Sequence, residues 1–174
     1  FTAEAGGGMG APPGPSSDSS SASSDQSGDG GGFSWDVPPG WVAEAGSGMR
    51  LVTFRVGAVE CYVVILGGNG GGVLSNLQRW AGQLGQEPPT EADVAAMSTV
   101  DVLGVKAPLL EATGDFTGMG SAEATPGTTM LGLPVLITGR AVFVKMLGPV
   151  DQVAAQRDNF ISFSNSLTLD GDGR

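Results

Sequence analysis

No Lys, Arg or His occurs in the first 32 residues, which hold nine Gly, eight Ser and only two large apolar side chains, Phe1 and Met9. Such a segment cannot bury enough surface to offset the entropy of ordering it, so residues 1–32 read as an extended acidic tail. Any core must therefore be built from residue 33 onward. A tail of this kind orders only against something outside its own domain, and a partner protein is the expected surface. Phe1, Met9, Pro12 and Pro13 are its candidate contact residues, joined by Phe33, Trp35 and Trp41 where the tail meets the domain.

Charge narrows the partner. Eight basic against eighteen acidic residues give a net charge of −10, and no basic residue precedes Arg50. A nucleic-acid binder needs a concentrated basic surface to displace counterions, and charge-driven docking to anionic lipid needs the same. The expected partners are protein subunits of a larger complex with a basic docking face. Cys61 is the single cysteine, so no disulfide can form within the chain and the redox compartment is left open. No stretch reaches the roughly 18 apolar residues needed to span a bilayer. The chain starts at Phe1 rather than Met, and a Ser/Gly/Pro tether after a processed N-terminus is typical of exported bacterial proteins. The expected location is periplasmic or otherwise extracytoplasmic, in association with a membrane complex.

From Phe33 the pattern becomes structural. Phe33-Ser-Trp-Asp-Val-Pro-Pro-Gly-Trp41 sets three aromatics around a Pro-Pro-Gly turn. Met49–Val56 alternates Leu51, Thr53 and Arg55 with Val52, Phe54 and Val56, and Gly57-Ala58 links it to Val59–Leu66 as a hairpin. Val63-Val-Ile-Leu66 is a continuous apolar run, as in a strand covered on both faces. After Gly67–Gly72, the spacing of Val73, Leu74, Leu77, Trp80, Ala81 and Leu84 predicts a helix that Pro88-Pro89 stops. Thr90-Glu-Ala-Asp93 predicts an N-cap and a short helix to about Met97.

Thr99–Ala107 and Leu109–Phe116 read as a strand pair joined at Pro108, followed by a loop over Gly118–Thr129. Met130–Thr138 and Ala141–Leu147 read as a third pair. A last helix follows Gly148, with Pro149 at its first position and Val150, Val153, Ala154, Phe160, Ile161 and Leu167 on its apolar stripe. The order predicts an α+β fold: an α/β/α sandwich with a mainly antiparallel sheet of about six strands, spanning 33–169, between the tail and a short C-terminal tail at 170–174.

Three blocks carry a resemblance: Trp35-Asp-Val-Pro-Pro-Gly-Trp41 with Met49-Arg-Leu-Val-Thr-Phe54, then Gly71-Gly-Val-Leu-Ser-Asn-Leu-Gln-Arg-Trp80, then Val142-Phe-Val-Lys-Met-Leu-Gly-Pro149 leading to Phe160 and Ser166-Leu167. Together they resemble small exported bacterial proteins of the PsbP/Mog-like superfamily, over roughly Trp35 to Leu169. The resemblance implies a sandwich around an antiparallel sheet and a non-catalytic extrinsic subunit or protein-binding adaptor. It implies no catalytic motif. The host it suggests is a photosynthetic reaction centre or another electron-transfer assembly. The net acidity departs from the photosystem subunits, which dock through basic residues, so their docking surface does not transfer.

Other chemistries are weaker. Gly67–Gly72 lies between strand and helix but lacks the Lys-Ser/Thr of a P-loop and the glycine spacing of a dinucleotide fingerprint. Cys61 has no histidine to act as its base and reads as a small buried hydrophobe. With no His and one Cys there is no expected metal site, and Asp170-Gly-Asp-Gly173 lacks the later ligands of a calcium loop. No cofactor is expected. Glu111, Asp115 and Asp101 could serve a carboxylate hydrolase, although such residues more often form the polar face of a sheet. The alternative to the accessory subunit is a free-standing exported binding domain on a flexible tether.

Overall fold

Apolar residues recurring with period two occupy much of the chain between Phe33 and Pro149, and strands form where they do. The computed structural model describes residues 27–30, 32–45, 48–118 and 123–170. Its elements run β1 (Ser27–Gly30), β2 (Phe33–Asp36), β3 (Val42–Ala45), β4 (Arg50–Val56), β5 (Val59–Gly67), α1 (Val73–Gln83), α2 (Glu91–Ala96), β6 (Thr99–Val102) and β7 (Val105–Pro108). Then come β8 (Leu110–Phe116), β9 (Thr125–Ile137), β10 (Arg140–Pro149), α3 (Val150–Ser166) and β11 (Thr168–Leu169). Six strands form one antiparallel sheet in the order β3-β4-β5-β10-β9-β8. This is the α+β architecture that the residue pattern predicts.

The two faces of the sheet bury different partners. Val52, Phe54, Cys61, Val63, Val142, Val144 and Met146 pack with Val153, Phe160 and Phe163 of α3. The β2 strand and the β6–β7 hairpin complete that layer through Phe33, Trp35, Val100 and Val102. An aromatic cluster lies at its centre: Phe54 meets Phe163 edge-on at 5.1 Å, and Trp41 lies 5.5 Å from each. The Trp41 indole N–H donates to Gln156 Oε1 at 2.9 Å, which ties the Pro-Pro-Gly segment to α3.

On the opposite face, Ala141 and Phe143 of β10 pack with Leu77, Trp80 and Leu84, alongside Leu110, Ala112 and Met130. Trp80 meets Phe143 edge-on at 5.3 Å. Its ring lies directly on Gly132 of β9, where a Cβ would stand 2.8 Å from it. Gly132 is paired with Lys145 of β10 and Leu110 of β8, so the indole settles over β9, one strand in from the β8 edge of the sheet. The α1 helix is short and packs on β8 and β9. Of the run read as covered on both sides, only Val63 is fully buried, and Val64, Ile65 and Leu66 are partly buried.

Three strand and helix boundaries differ from the sequence reading. Thr99–Ala107 is not one strand paired with Leu109–Phe116. It folds back on itself as β6–β7, and β8 pairs with β9. The reason is the turn: Leu103 and Gly104 both have positive φ, 54° and 79°, a geometry that matches strand twist in a two-residue hairpin. The β9 strand starts at Thr125, inside the segment read as loop. Pro149 caps α3 from outside rather than opening it, Val150 and Ala154 are exposed, and Leu167 is buried just beyond the helix end. Phe163, absent from the predicted stripe, takes the core position. In addition β1, from within the segment read as tail, pairs with β2, and β11 pairs with β2 on its other side.

Two short motifs match their reading. Thr90 and Asp93 form a reciprocal capping box at α2, with Thr90 N–H donating to Asp93 Oδ2 at 2.8 Å. Both carboxylate contacts hold the Asp93 pKa below its ordinary value. Gly57, with φ 58°, turns β4 into β5.

Gly132→Ala tests the indole seat. Trp80 is enclosed and has no room to withdraw, so the added methyl group should lower stability by about 1–3 kcal/mol. A urea titration followed by tryptophan fluorescence reads this out, and an unchanged midpoint would remove Gly132 from the account.

Candidate functional site

Period two places Ala141, Phe143, Lys145 and Leu147 of β10 on the α1 side of the sheet. The first two lie under α1, whereas Lys145 comes at the margin of what the helix covers. Tyr62 of β5 is its cross-strand neighbour. Arg50, at the start of β4, lays its guanidinium over the Tyr62 ring at 3.8 Å and pairs with Glu60. Trp80 and Arg79 approach from α1. These side chains wall a cleft of about 420 Å³, together with Gln83, Phe116 and Leu147.

Three of the chain's eight basic residues meet here, in a protein of net charge −10. Each is held differently. Arg50 has Glu60 and the Tyr62 face. Arg79 Nη2 donates to Asn76 Oδ1 at 2.6 Å, and the buried Asn76 amide donates in turn to the Gly70 and Gly72 carbonyls at 2.9 and 2.6 Å. Lys145 is only 8% exposed, and among the described residues its Nζ has no hydrogen-bond or ion-pair partner. It lies 4.9 Å from the Trp80 ring centre and 5.7 Å from that of Tyr62. Gln83 Oε1 is likewise buried without a partner among the described residues.

The electrostatics follow. Burial, then Arg79 and Arg50, lower the Lys145 pKa from 10.5 to about 8. Burial raises the Tyr62 pKa against the opposing pull of Arg50. An ammonium desolvated beside two guanidinium groups favours whatever anion can enter, because the anion supplies the missing counter-charge and hydrogen-bond acceptor. A second cleft of about 330 Å³ shares Glu60, Phe116 and Leu147 and continues past Arg55 to Pro149.

The residues singled out from sequence lie elsewhere. Phe33, Trp35 and Trp41 are buried in the α3-side core, where they fasten the start of the domain. Phe1, Met9, Pro12 and Pro13 lie outside the described residues. The Gly67–Gly72 loop turns the Gly70 and Gly72 carbonyls onto Asn76 and packs Gly70 against Ala141 and Phe143. It is a pinned connection, and those two carbonyls face a side-chain amide. Cys61 is fully buried, and burial pushes its thiol pKa well up. Glu111 pairs with Arg157 of α3, and Asp101 pairs with Lys106 at 3.1 Å within the β6–β7 hairpin. Asp115 sits at an irregularity in β8. The carboxylates Glu111 and Asp101 thus occupy separate sheets, each beside its own cation. Asp170 closes β11 onto β2 by accepting from Ser34 Oγ, and its N–H donates to the Gly32 carbonyl at 2.7 Å.

No protein-family model matches the chain, and no curated protein matches it in sequence. Solved structures similar in fold include a cyanobacterial PsbP (CyanoP) from Synechocystis sp. PCC 6803, determined in solution. It is 13% identical with a TM-score of 0.48, over 79% of this chain and 86% of that one. A crystal structure from Bacteroides thetaiotaomicron VPI-5482 is 12% identical with a TM-score of 0.47, over 82% of this chain. The chain spans about half of the Bacteroides protein, 47% of its length.

Lys145 makes a stability prediction with a definite sign. A lysine whose folded pKa is depressed binds fewer protons folded than unfolded between about pH 8 and 10.5, so its contribution to stability rises with pH across that window. Below pH 8 the fold carries the full cost of the buried charge, on the order of 3 kcal/mol at about 1.4 kcal/mol per pH unit. Lys145→Met should therefore be more stable than the parent at pH 7, by about 1–3 kcal/mol. The gain should shrink as pH approaches 10.5. Paired denaturant titrations across that range check it, and a gain independent of pH would contradict the assignment.

Proposed function

We propose that this protein is a non-catalytic accessory subunit that docks on a membrane-associated complex and takes hold of an anionic group through the Lys145 cleft. One observation carries the reading. A net-acidic chain gathers Arg50, Arg79 and Lys145 around one opening and leaves the most buried of them unpaired. Natural sequences tolerate such a destabilising charge mainly where it serves binding or catalysis. The sequence supplies neither a histidine nor a second cysteine to work beside it.

The anionic group is a carboxylate or phosphate, and the adjoining cleft past Arg55 gives an acidic polypeptide room to continue. This reverses locally the expectation of a basic partner face drawn from net charge. Net charge describes the long-range field, whereas the cleft describes contact. The resemblance read from the sequence supplies the setting: an extrinsic periplasmic subunit, with a photosynthetic reaction centre or another electron-transfer assembly as host. The N-terminal tail would add a second attachment to the same assembly, and linked weak contacts raise the occupancy of each.

Calorimetric and thermal-shift titrations with citrate, phosphate and hexaglutamate test the cleft. Binding should raise the melting temperature, weaken with added salt and fall at least tenfold in Arg79→Gln. Preference for hexaglutamate over the small anions identifies a polypeptide ligand. The reading fails if none of the three shifts the melting temperature at millimolar concentration.

A further inference from the structure

We propose that the Lys145 cleft is a covalent capture site for small anionic aldehydes and ketones, in which Lys145 condenses with the carbonyl to form an imine. This rests on the anion-binding reading of the cleft and names a ligand class for it. The geometry has the parts that such a condensation needs. An amine lies in a cleft large enough for a small metabolite-sized molecule, walled by the Tyr62 and Trp80 rings and lined also by Arg50, Glu60, Arg79 and Gln83. Arg79, fixed by Asn76, and Arg50, fixed by Glu60, stand beside it as rigid anion holders. An anion held by the guanidinium groups brings its carbonyl carbon to the amine without further ordering.

Imine formation requires the neutral amine. Desolvation, then the two neighbouring guanidinium groups, bring the Lys145 pKa to about 8, so the share of neutral amine near neutral pH is far larger than for an ordinary lysine. The step balances without any other reactant. The Nζ lone pair attacks the carbonyl carbon to give a carbinolamine. The carbonyl oxygen then leaves as water, taking two protons that the amine loses, and a C=N bond remains. Nothing is oxidised or reduced, and water reverses the reaction. The cleft captures its ligand stoichiometrically, and while the imine stands it blocks the anionic group of a partner from the same guanidinium pair.

The chain carries an internal comparator, because Lys106 is its only other lysine and lies exposed on the β6–β7 hairpin. Pyridoxal 5′-phosphate, an aldehyde bearing a phosphate, is the probe, with borohydride reduction to fix the imine and peptide mass spectrometry to locate it. Lys145 should be modified at least tenfold faster than Lys106, inorganic phosphate should suppress the Lys145 label alone, and pyridoxal without the phosphate should lose the preference. Arg79→Gln should lower the Lys145 label while leaving Lys106 unchanged, which separates anion holding from amine reactivity.

Equal labelling of the two lysines, or labelling of Lys106 alone, overturns the proposal. If phosphate still raises the melting temperature in that case, the cleft binds anions but does not capture carbonyls. If phosphate has no effect either, the anion-binding reading falls with it.

Discussion

The seating of Trp80 on Gly132 is the contact on which the α1 side of this protein depends. An indole can lie against a sheet only where a strand offers no side chain, and β9 offers Gly132 at the position flanked by Lys145 and Leu110. That one absence sets how closely α1 approaches and therefore how much of the sheet it covers. With Trp80 edge-on to Phe143, the helix is centred over β8, β9 and β10. On the β4–β5 half of the same face, Val64 and Leu66 are only partly covered, and Tyr62 lies beside Arg50 and Glu60. The cleft lies where the helix ends, and at its margin the Arg50 guanidinium and the Lys145 ammonium lie against the aromatic faces of Tyr62 and Trp80.

The fold was largely legible in the chain, for reasons that are local. Gly57 and Gly139 punctuate alternating runs, and the spacing from Val73 to Leu84 admits a helix and little else. Errors arose where the deciding factor was not local. Leu103 has a positive φ that its side chain does not advertise, so the β6–β7 turn was placed at Pro108, the louder signal. Phe163 outranked Val150 and Ala154 because the aromatic cluster around Phe54 selects which side of α3 faces inward.

The site was much less legible. Arg50, Arg79 and Lys145 are far apart in sequence and belong to three elements, and only the sheet order brings β4, β5 and β10 together beneath the end of α1. One signal was present in the run Val142-Phe-Val-Lys-Met-Leu147. A lysine there occupies a position whose neighbours on both sides are buried, and a charge inside a central strand is either an error of register or a feature kept for use. Trp35 and Trp41 admit two readings from sequence, as core groups or as interface contacts beside a tail, and both are buried in the α3-side core.

Asn76 joins two parts of the molecule that would otherwise be independent. Its amide holds the glycine-rich turn after β5, and its oxygen holds the guanidinium of Arg79. The turn is therefore a ruler for the cleft. Lengthening or shortening it by one residue would move a positive charge across the opening, without altering any residue that lines it. Among descendants of such a chain, ligand preference could drift through changes in a loop that never touches the ligand.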